Sequence, residues 1–221
     1  MRTRALISIS MVALVASGLA ACVPLKRTPE ARYFVLRALA TVQGDMGDLA
    51  QGGVVGVLPV RLPGYAERPQ VVEWIAPNEI RVNEFVRWAE PLEAGTSRAL
   101  TDDLAILLPH HRILAYPWQG GGDMSCRVGV EVRTFGLQPD GRVRFDGRWA
   151  LLPPSGDKPL TRADFSYERG PLSEAAAARS DAAVEAMSEL LADLARELAR
   201  AIQALPYTSR ELSVTEAPET R

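Results

Sequence analysis

The chain is poor in the residues that usually carry chemistry. Its 221 residues include two cysteines, two histidines and only 6% aromatic side chains. Cysteines at 22 and 126 cannot build the disulfide framework of a small secreted domain, so stability has to come from an ordinary core, in which Cys126 is read as a buried strand residue. His110 and His111 are adjacent, so in most backbones they point apart, and no third ligand follows at a helical or hairpin spacing. They suit the solvated, negative end of the helix before them. Asp102 and Asp103 are neighbours within that helix and do not converge as an acid–base pair. Ser125-Cys126 lacks a glycine elbow and a histidine base. Gly120-Gly121-Gly122 is not followed by Lys-Ser/Thr and does not join a strand to a helix, which argues against a phosphate loop. A formal charge of −2 gives no basic footprint for nucleic acid. These shortages argue against an enzyme, and they call for no cofactor and no metal.

One apolar run is present, and it stands at the N-terminus. Met1-Arg2-Thr3-Arg4 precedes a twelve-residue stretch from Ala5 to Ala16, too short to span a bilayer, which needs about 20 residues. Leu19-Ala20-Ala21-Cys22 follows and resembles the lipobox of bacterial lipoproteins, in which the cysteine becomes the lipid-bearing N-terminus. An ordinary secretory signal is the alternative. Residues 1–21 are thus expected to be a lipoprotein signal peptide, with the lipid on Cys22. Loss of Arg2 and Arg4 moves the formal charge to −4. Two or more acyl chains give a stable anchor at about 0.8 kcal/mol per buried methylene. Val23-Pro24 stands where inner-membrane lipoproteins usually carry Asp, which implies sorting to the outer membrane, facing the periplasm. No later run is long enough for a second span.

Residues 22–31, with Pro24 and Pro29, are read as a tether. Tyr33 to Leu36 and Val54 to Leu62 predict strands, with Pro59 arguing for an edge position or a bulge. Gln70 to Trp74 and Glu79 to Trp88 predict a hairpin with Trp74 and Trp88 in its packing. Leu100, Leu104, Leu107 and Leu108 predict a helix beginning at Thr96 or Ser97 and closed by Pro109, and Ile113 to Trp118 a short strand. Val128, Val130 and Val132, then Val143, Phe145, Gly147 and Trp149, alternate with charged or small residues about Asp140-Gly141. That is the pattern of an antiparallel sheet with one covered face, and Phe165 and Tyr167 extend it by a third strand. The cover is the segment Ser173 to Leu205. Its stripe of Val184, Met187, Leu191, Leu194, Leu198, Ile202 and Leu205 opposes Glu185, Glu189, Asp193, Arg196, Glu197 and Arg200, and an intermolecular coiled coil is the rival use of that stripe. The fold class is α+β: an antiparallel-rich mixed β-sheet covered on one face by helices. The single domain spans 32–207, and a polar tail at 208–221 is expected to be disordered.

Rings beside backbone breakers mark candidate contact surfaces. Leu62-Pro63-Gly64-Tyr65 and Ala115-Tyr116-Pro117-Trp118 are such places, so Tyr65, Tyr116 and Trp118 are candidate partner or lipid contacts. Packing within the chain is the plain alternative, above all for Trp118.

Laid end to end, the segments resemble the ABC-type transport auxiliary lipoproteins, the PqiC/YmbA family. The resemblance is carried by Tyr33-Phe34-Val35-Leu36, Val57 to Tyr65, Arg68-Pro69-Gln70-Val71-Val72, Asn78-Glu79-Ile80, Arg87-Trp88-Ala89-Glu90-Pro91-Leu92, Leu107-Leu108-Pro109 and Tyr116-Pro117-Trp118. It implies a non-enzymatic outer-membrane lipoprotein of an intermembrane phospholipid transport system. Its implied partners are an MCE-domain periplasmic protein that forms a conduit and the associated inner-membrane permease, with phospholipid and a homo-oligomer around the conduit as further candidates. No catalytic role attaches to Arg68 or Arg87, which can pair with Glu67 or Glu90. A general envelope scaffold lipoprotein is the alternative. If the signal is read correctly, Cys22→Ser abolishes membrane association while the domain still folds; intact-mass analysis of the natural protein would then show a lipidated chain beginning at Cys22.

Overall fold

The computed structural model describes residues 29–39, 52–118, 124–172 and 176–205, with 176–178 as backbone only. The signal segment, Cys22, the tether up to Thr28, the triple glycine and the tail from Pro206 lie outside the described residues. Ala31 onward forms one unit, and Met1–Glu30 is a separate one.

Alternation of side chains builds the centre of the sheet. β6 (Met124–Leu137), β7 (Val143–Leu152) and β8 (Thr161–Arg169) form an antiparallel meander. Cys126, Val128, Val130 and Val132 turn inward from β6, and Val143, Phe145, Trp149 and Leu151 from β7; a register irregularity before Cys126 turns Met124 to the other face, beside Gly56. A bulge after Val132 shifts the phase by one residue, so Phe135 and Leu137 also face inward. Phe135, Phe145, Phe165 and Tyr167 form a run of rings at centroid spacings of 4.4, 4.9 and 5.6 Å. Gly141, at φ +78°, supplies the conformation that the β6–β7 turn needs.

The opposite edge of β6 carries two branches. Beside its first residues runs β2 (Val54–Val57) in parallel, and β5 (Arg112–Ala115) runs parallel to β2. Beside Leu137 stands the hairpin of β3 (Gln70–Ala76) and β4 (Glu79–Trp88), with β1 (Arg32–Phe34) parallel to β4. The eight-stranded sheet is therefore mixed, and its antiparallel pairs are the long ones. Pro59 does not put β2 at an edge. β2 is paired on both sides up to Val57, and Leu58 N–H still donates to Val128 O; Pro59 comes after this pairing, and the chain then touches β6 again where Arg61 N–H donates to Val130 O and Val132 N–H to Arg61 O. Likewise β5 ends at Ala115 rather than at Trp118.

Two helices cover one face. α1 (Leu92–Leu107) starts four residues earlier than Thr96, directly after Pro91. Thr96 and Ser97 are spent inside it: the Thr96 hydroxyl donates to Leu92 O at 2.7 Å, and Ser97 Oγ accepts Val60 N–H at 2.9 Å. α2 (Ala176–Gln203) lays Val184, Met187, Leu190, Leu191, Leu194, Leu198 and Ile202 onto the sheet, so its stripe is a core seam of this chain. Glu197, read from the sequence as solvent-facing, is half-buried. Its carboxylate accepts Trp149 Nε1–H at 2.7 Å and the Tyr167 hydroxyl, and clasps the helix to β7 and β8. Burial and that carboxylate push the Tyr167 phenol up.

After β1 the chain crosses both helices and is held at each residue or two. Leu36 is buried and its carbonyl accepts Arg98, Arg37 N–H donates to Ser188 Oγ at 3.2 Å, and Leu39 N–H donates to Asp103 Oδ1 at 2.6 Å. Asp103 is fully buried, and its second oxygen has no hydrogen-bond partner. Burial, reinforced by Asp102 and opposed by the Leu39 N–H and Arg196, raises its carboxyl from 3.8 to about 6. A raised folded-state value means the stabilising neutral form is complete below the unfolded value and lost as pH climbs through about 6. A rise of that size corresponds to about 3 kcal/mol. Measured against Asp103→Asn, which does not titrate, wild-type stability should therefore fall by about 2–3 kcal/mol between about pH 4 and about pH 7.5. Denaturant melts of both proteins across that range check this, and a constant difference would mean the carboxylate is solvated.

Candidate functional site

A groove of about 530 Å³ lies where the N-terminal part of α1 faces the ends of β2 and β5. Val57, Pro59, Pro91, Ala94 and Ala115 give it an apolar floor, and Glu93, Arg98, Asp102 and Tyr116 stand at its sides. Val57 and Ala115 are register partners on neighbouring parallel strands, so they share the face that α1 covers. The Ser97–Val60 hydrogen bond draws the chain after Pro59 against the helix. Arg98 is held by Glu90 at 2.6 Å and by Leu36 O at 3.0 Å, and its hydrogen bond to Glu90 raises its pKa further. Glu90 is thus the partner of Arg98 rather than of Arg87. Gly95 leaves room for this pairing, since a Cβ there would stand 3.0 Å from the Glu90 carboxylate.

The three candidate aromatic residues fall into two separate places. Tyr116 follows β5 and is 57% exposed; its ring meets Trp118 edge-on at 5.3 Å. Trp118 is half-buried over Gly56, where a Cβ would come within 3.1 Å of the indole and 2.9 Å of the Met124 side chain. Tyr65 sits elsewhere. It lies in a single 3-10 turn (Gly64–Ala66), packs edge-on to Trp74 at 5.2 Å, and its oxygen accepts Phe135 N–H at 3.2 Å. Burial raises its phenol pKa. β2 aligns Ala115 with Val128, whereas Tyr65 is beside Phe135, roughly 20 Å further along β6. Tyr65 therefore does not share a surface patch with Tyr116 and Trp118.

The groups considered for chemistry are dispersed. Cys126 faces the core, and burial pushes its thiol up to about 11. His110 is exposed in the turn after α1, and partial burial beside it lowers the His111 pKa. Among the described residues no three of His, Cys, Asp or Glu are grouped to hold a metal ion. The outer face of the meander carries ion pairs centred on Asp164, whose carboxyl Arg148 and then Arg133 hold below its usual range; these pairs are exposed and worth little to stability. Sequence reasoning missed the groove because its lining comes from three separated segments. The only local signal was a run of small residues, Ala94, Gly95, Thr96 and Ser97, on an otherwise leucine-rich helix.

The family model for the ABC-type transport auxiliary lipoprotein component matches residues 34–199, the whole groove included. The chain belongs to this family. Membership bears out the resemblance carried by the sequence segments and makes the protein an auxiliary lipoprotein of ABC-type transport in the cell envelope. Two crystal structures share the fold with a TM-score of 0.63. An uncharacterized protein is 20% identical, with 79% of this chain and 99% of that one aligned. Protein XCC0632 from Xanthomonas campestris is 15% identical, with 78% and 97% aligned. At such identities they establish the architecture alone. No curated protein matches the chain, and no helix among the described residues is long and apolar enough to cross a membrane.

The ring environments make different demands on the fold. Tyr116→Ala should change stability by less than about 0.5 kcal/mol. Tyr65→Ala, which orphans Phe135 N–H and opens a gap against Trp74, should cost about 1–3 kcal/mol. Thermal melts of the two variants decide; a Tyr116→Ala variant as unstable as Tyr65→Ala would place Tyr116 in the core.

Proposed function

We propose that this protein is a non-enzymatic, lipid-anchored component of an intermembrane phospholipid transport system, held at the outer membrane by lipid on Cys22 with its domain in the periplasm. In this reading residues 1–21 are the cleaved signal, 22–31 a tether, 32–207 the working domain and 208–221 a tail. The partner is a periplasm-spanning MCE-domain protein that conducts lipid from an inner-membrane permease, and this domain docks it. What supports docking is the Tyr116 ring, 57% exposed at the side of the groove and backed by Trp118. An exposed aromatic fixed by a second ring offers contact area at small entropic cost, and such residues can contribute about 2 kcal/mol or more to binding. Family membership supports the transport role.

Copurification from detergent-solubilised envelopes after mild crosslinking should recover an MCE-domain protein with the wild-type chain. Tyr116→Ala should reduce that recovery by several-fold with its melting temperature unchanged. Recovery of other envelope proteins but no MCE-domain protein would favour the general scaffold reading instead.

A further inference from the structure

Among the described residues the outer edge of β5 has no pairing strand. Arg112 N–H donates to Gly53 O and Tyr116 N–H to Val57 O, both at 3.0 Å. Alternate residues of a parallel strand face the same neighbour, so the peptide groups of Ile113 and Ala115 turn away from β2. No strand among the described residues pairs with that side. Edges are usually blunted by charge, proline, a bulge or a covering element. Here Arg112 stands only at the start and Pro117 only beyond the end. Ala115 is exposed and also lines the groove, which brings the open peptide groups beside the apolar floor of Val57 and Pro59. On the helix side Arg98 is engaged by Glu90 and lies 3.7 Å from Asp102, whereas Glu93 has no ion pair among the described residues. The rim thus carries a carboxylate, in the first turn of α1, with no cationic side chain paired to it among the described residues.

We propose that this edge and groove receive an extended peptide segment of a partner protein, added as a strand beside β5, with a small apolar side chain on the floor and a Lys or Arg beside Glu93. The inference rests on the docking reading above and specifies its form. An acyl chain would fill the floor but leave the Ile113 and Ala115 peptide groups desolvated and unpaired. A helix has already used its backbone groups internally. An extended strand satisfies the edge through its main chain and the floor through alternate side chains. The acidic rim selects the sign of its charge.

A random dodecapeptide library displayed on phage, selected on the full chain in detergent and compared with Ala115→Pro, tests this. Proline at that position removes only an outward N–H, because residues 112, 114 and 116 make the bonds to β2. Enriched sequences should alternate β-branched residues with Lys or Arg and bind the wild-type chain at least about tenfold more tightly than the variant. Glu93→Gln should weaken them several-fold. Synthetic copies N-methylated on alternate residues should lose binding in one of the two phases, a control that decides the matter even if Ala115→Pro does not fold. Affinity indifferent to N-methylation in both phases, or no enrichment on the wild-type chain, overturns the inference. So does a wild-type oligomer, seen by sedimentation, that Ala115→Pro dissociates, since the edge would then belong to a second copy. Capture of the MCE-domain partner that persists unchanged in a folded Ala115→Pro variant sinks this inference and leaves the docking reading intact. Failure of the wild-type chain to capture that partner, with peptides still selected, sinks the docking reading and leaves the groove's preference standing.

Discussion

Everything in this domain is organised around the two edges of β6. One edge is used by β7 from Arg127 to Leu137, and the other is shared between β2 and the β3–β4 hairpin. A strand of fourteen residues is long enough for both branches, and its bulge after Val132 keeps apolar residues inward along the whole length. Because β6 presents one buried face from Cys126 to Leu137, both helices have to lie on that side. Their seam buries large apolar side chains, the dominant stabilising term in such a domain. Polar links such as Glu197 to Trp149 and Tyr167 then fix where α2 sits, since apolar packing alone tolerates sliding.

The branching also explains why a groove exists. β2 and β5 leave the main sheet near the start of β6, and α1 spans the space above them. β5 is short and ends where Pro117 interrupts the ladder, so the helix overhangs an edge rather than a closed surface. Arg98, Glu90 and the carbonyl of Leu36 tie α1 to the N-terminal segment, so the overhang is held in place. The segment that leads from the N-terminus passes Asp103 on the same helix.

Much of the architecture was legible before the coordinates. Val128, Val130 and Val132 against Val143, Phe145 and Trp149 could be placed in a one-sided antiparallel pair because side chains alternate with period two. The α2 stripe was equally plain at its 3.6-residue period, and the ordered segments from Tyr33 to Trp118 carried the family resemblance that the match over residues 34–199 bears out. Local rules misplaced elements where tertiary partners reassigned polar groups. Thr96 and Ser97 look like helix starters, yet Thr96 bonds back within the helix and Ser97 serves Val60. Pro59 suggested an edge or a bulge in a strand that is in fact flanked on both sides, because the pairing ends at Val57, before the proline, while the apolar pattern runs on to Leu62.

The amino-acid order by itself determined the class and the covered face, since these follow from periodicity and turn residues that need no partner to be read, and its ordered segments carried the family resemblance. The tertiary structure alone decided which polar groups are spent and which are left over. Glu197 and Asp103 had the same standing in the sequence as their solvated neighbours, but one closes a clasp and the other is buried with an oxygen unpaired. Tyr65 and Tyr116 had equal standing too, yet one is tied to Phe135 and the other is exposed at the end of β5. Such differences come from contacts between residues distant along the chain, whose geometry only the closed sheet and its helices create.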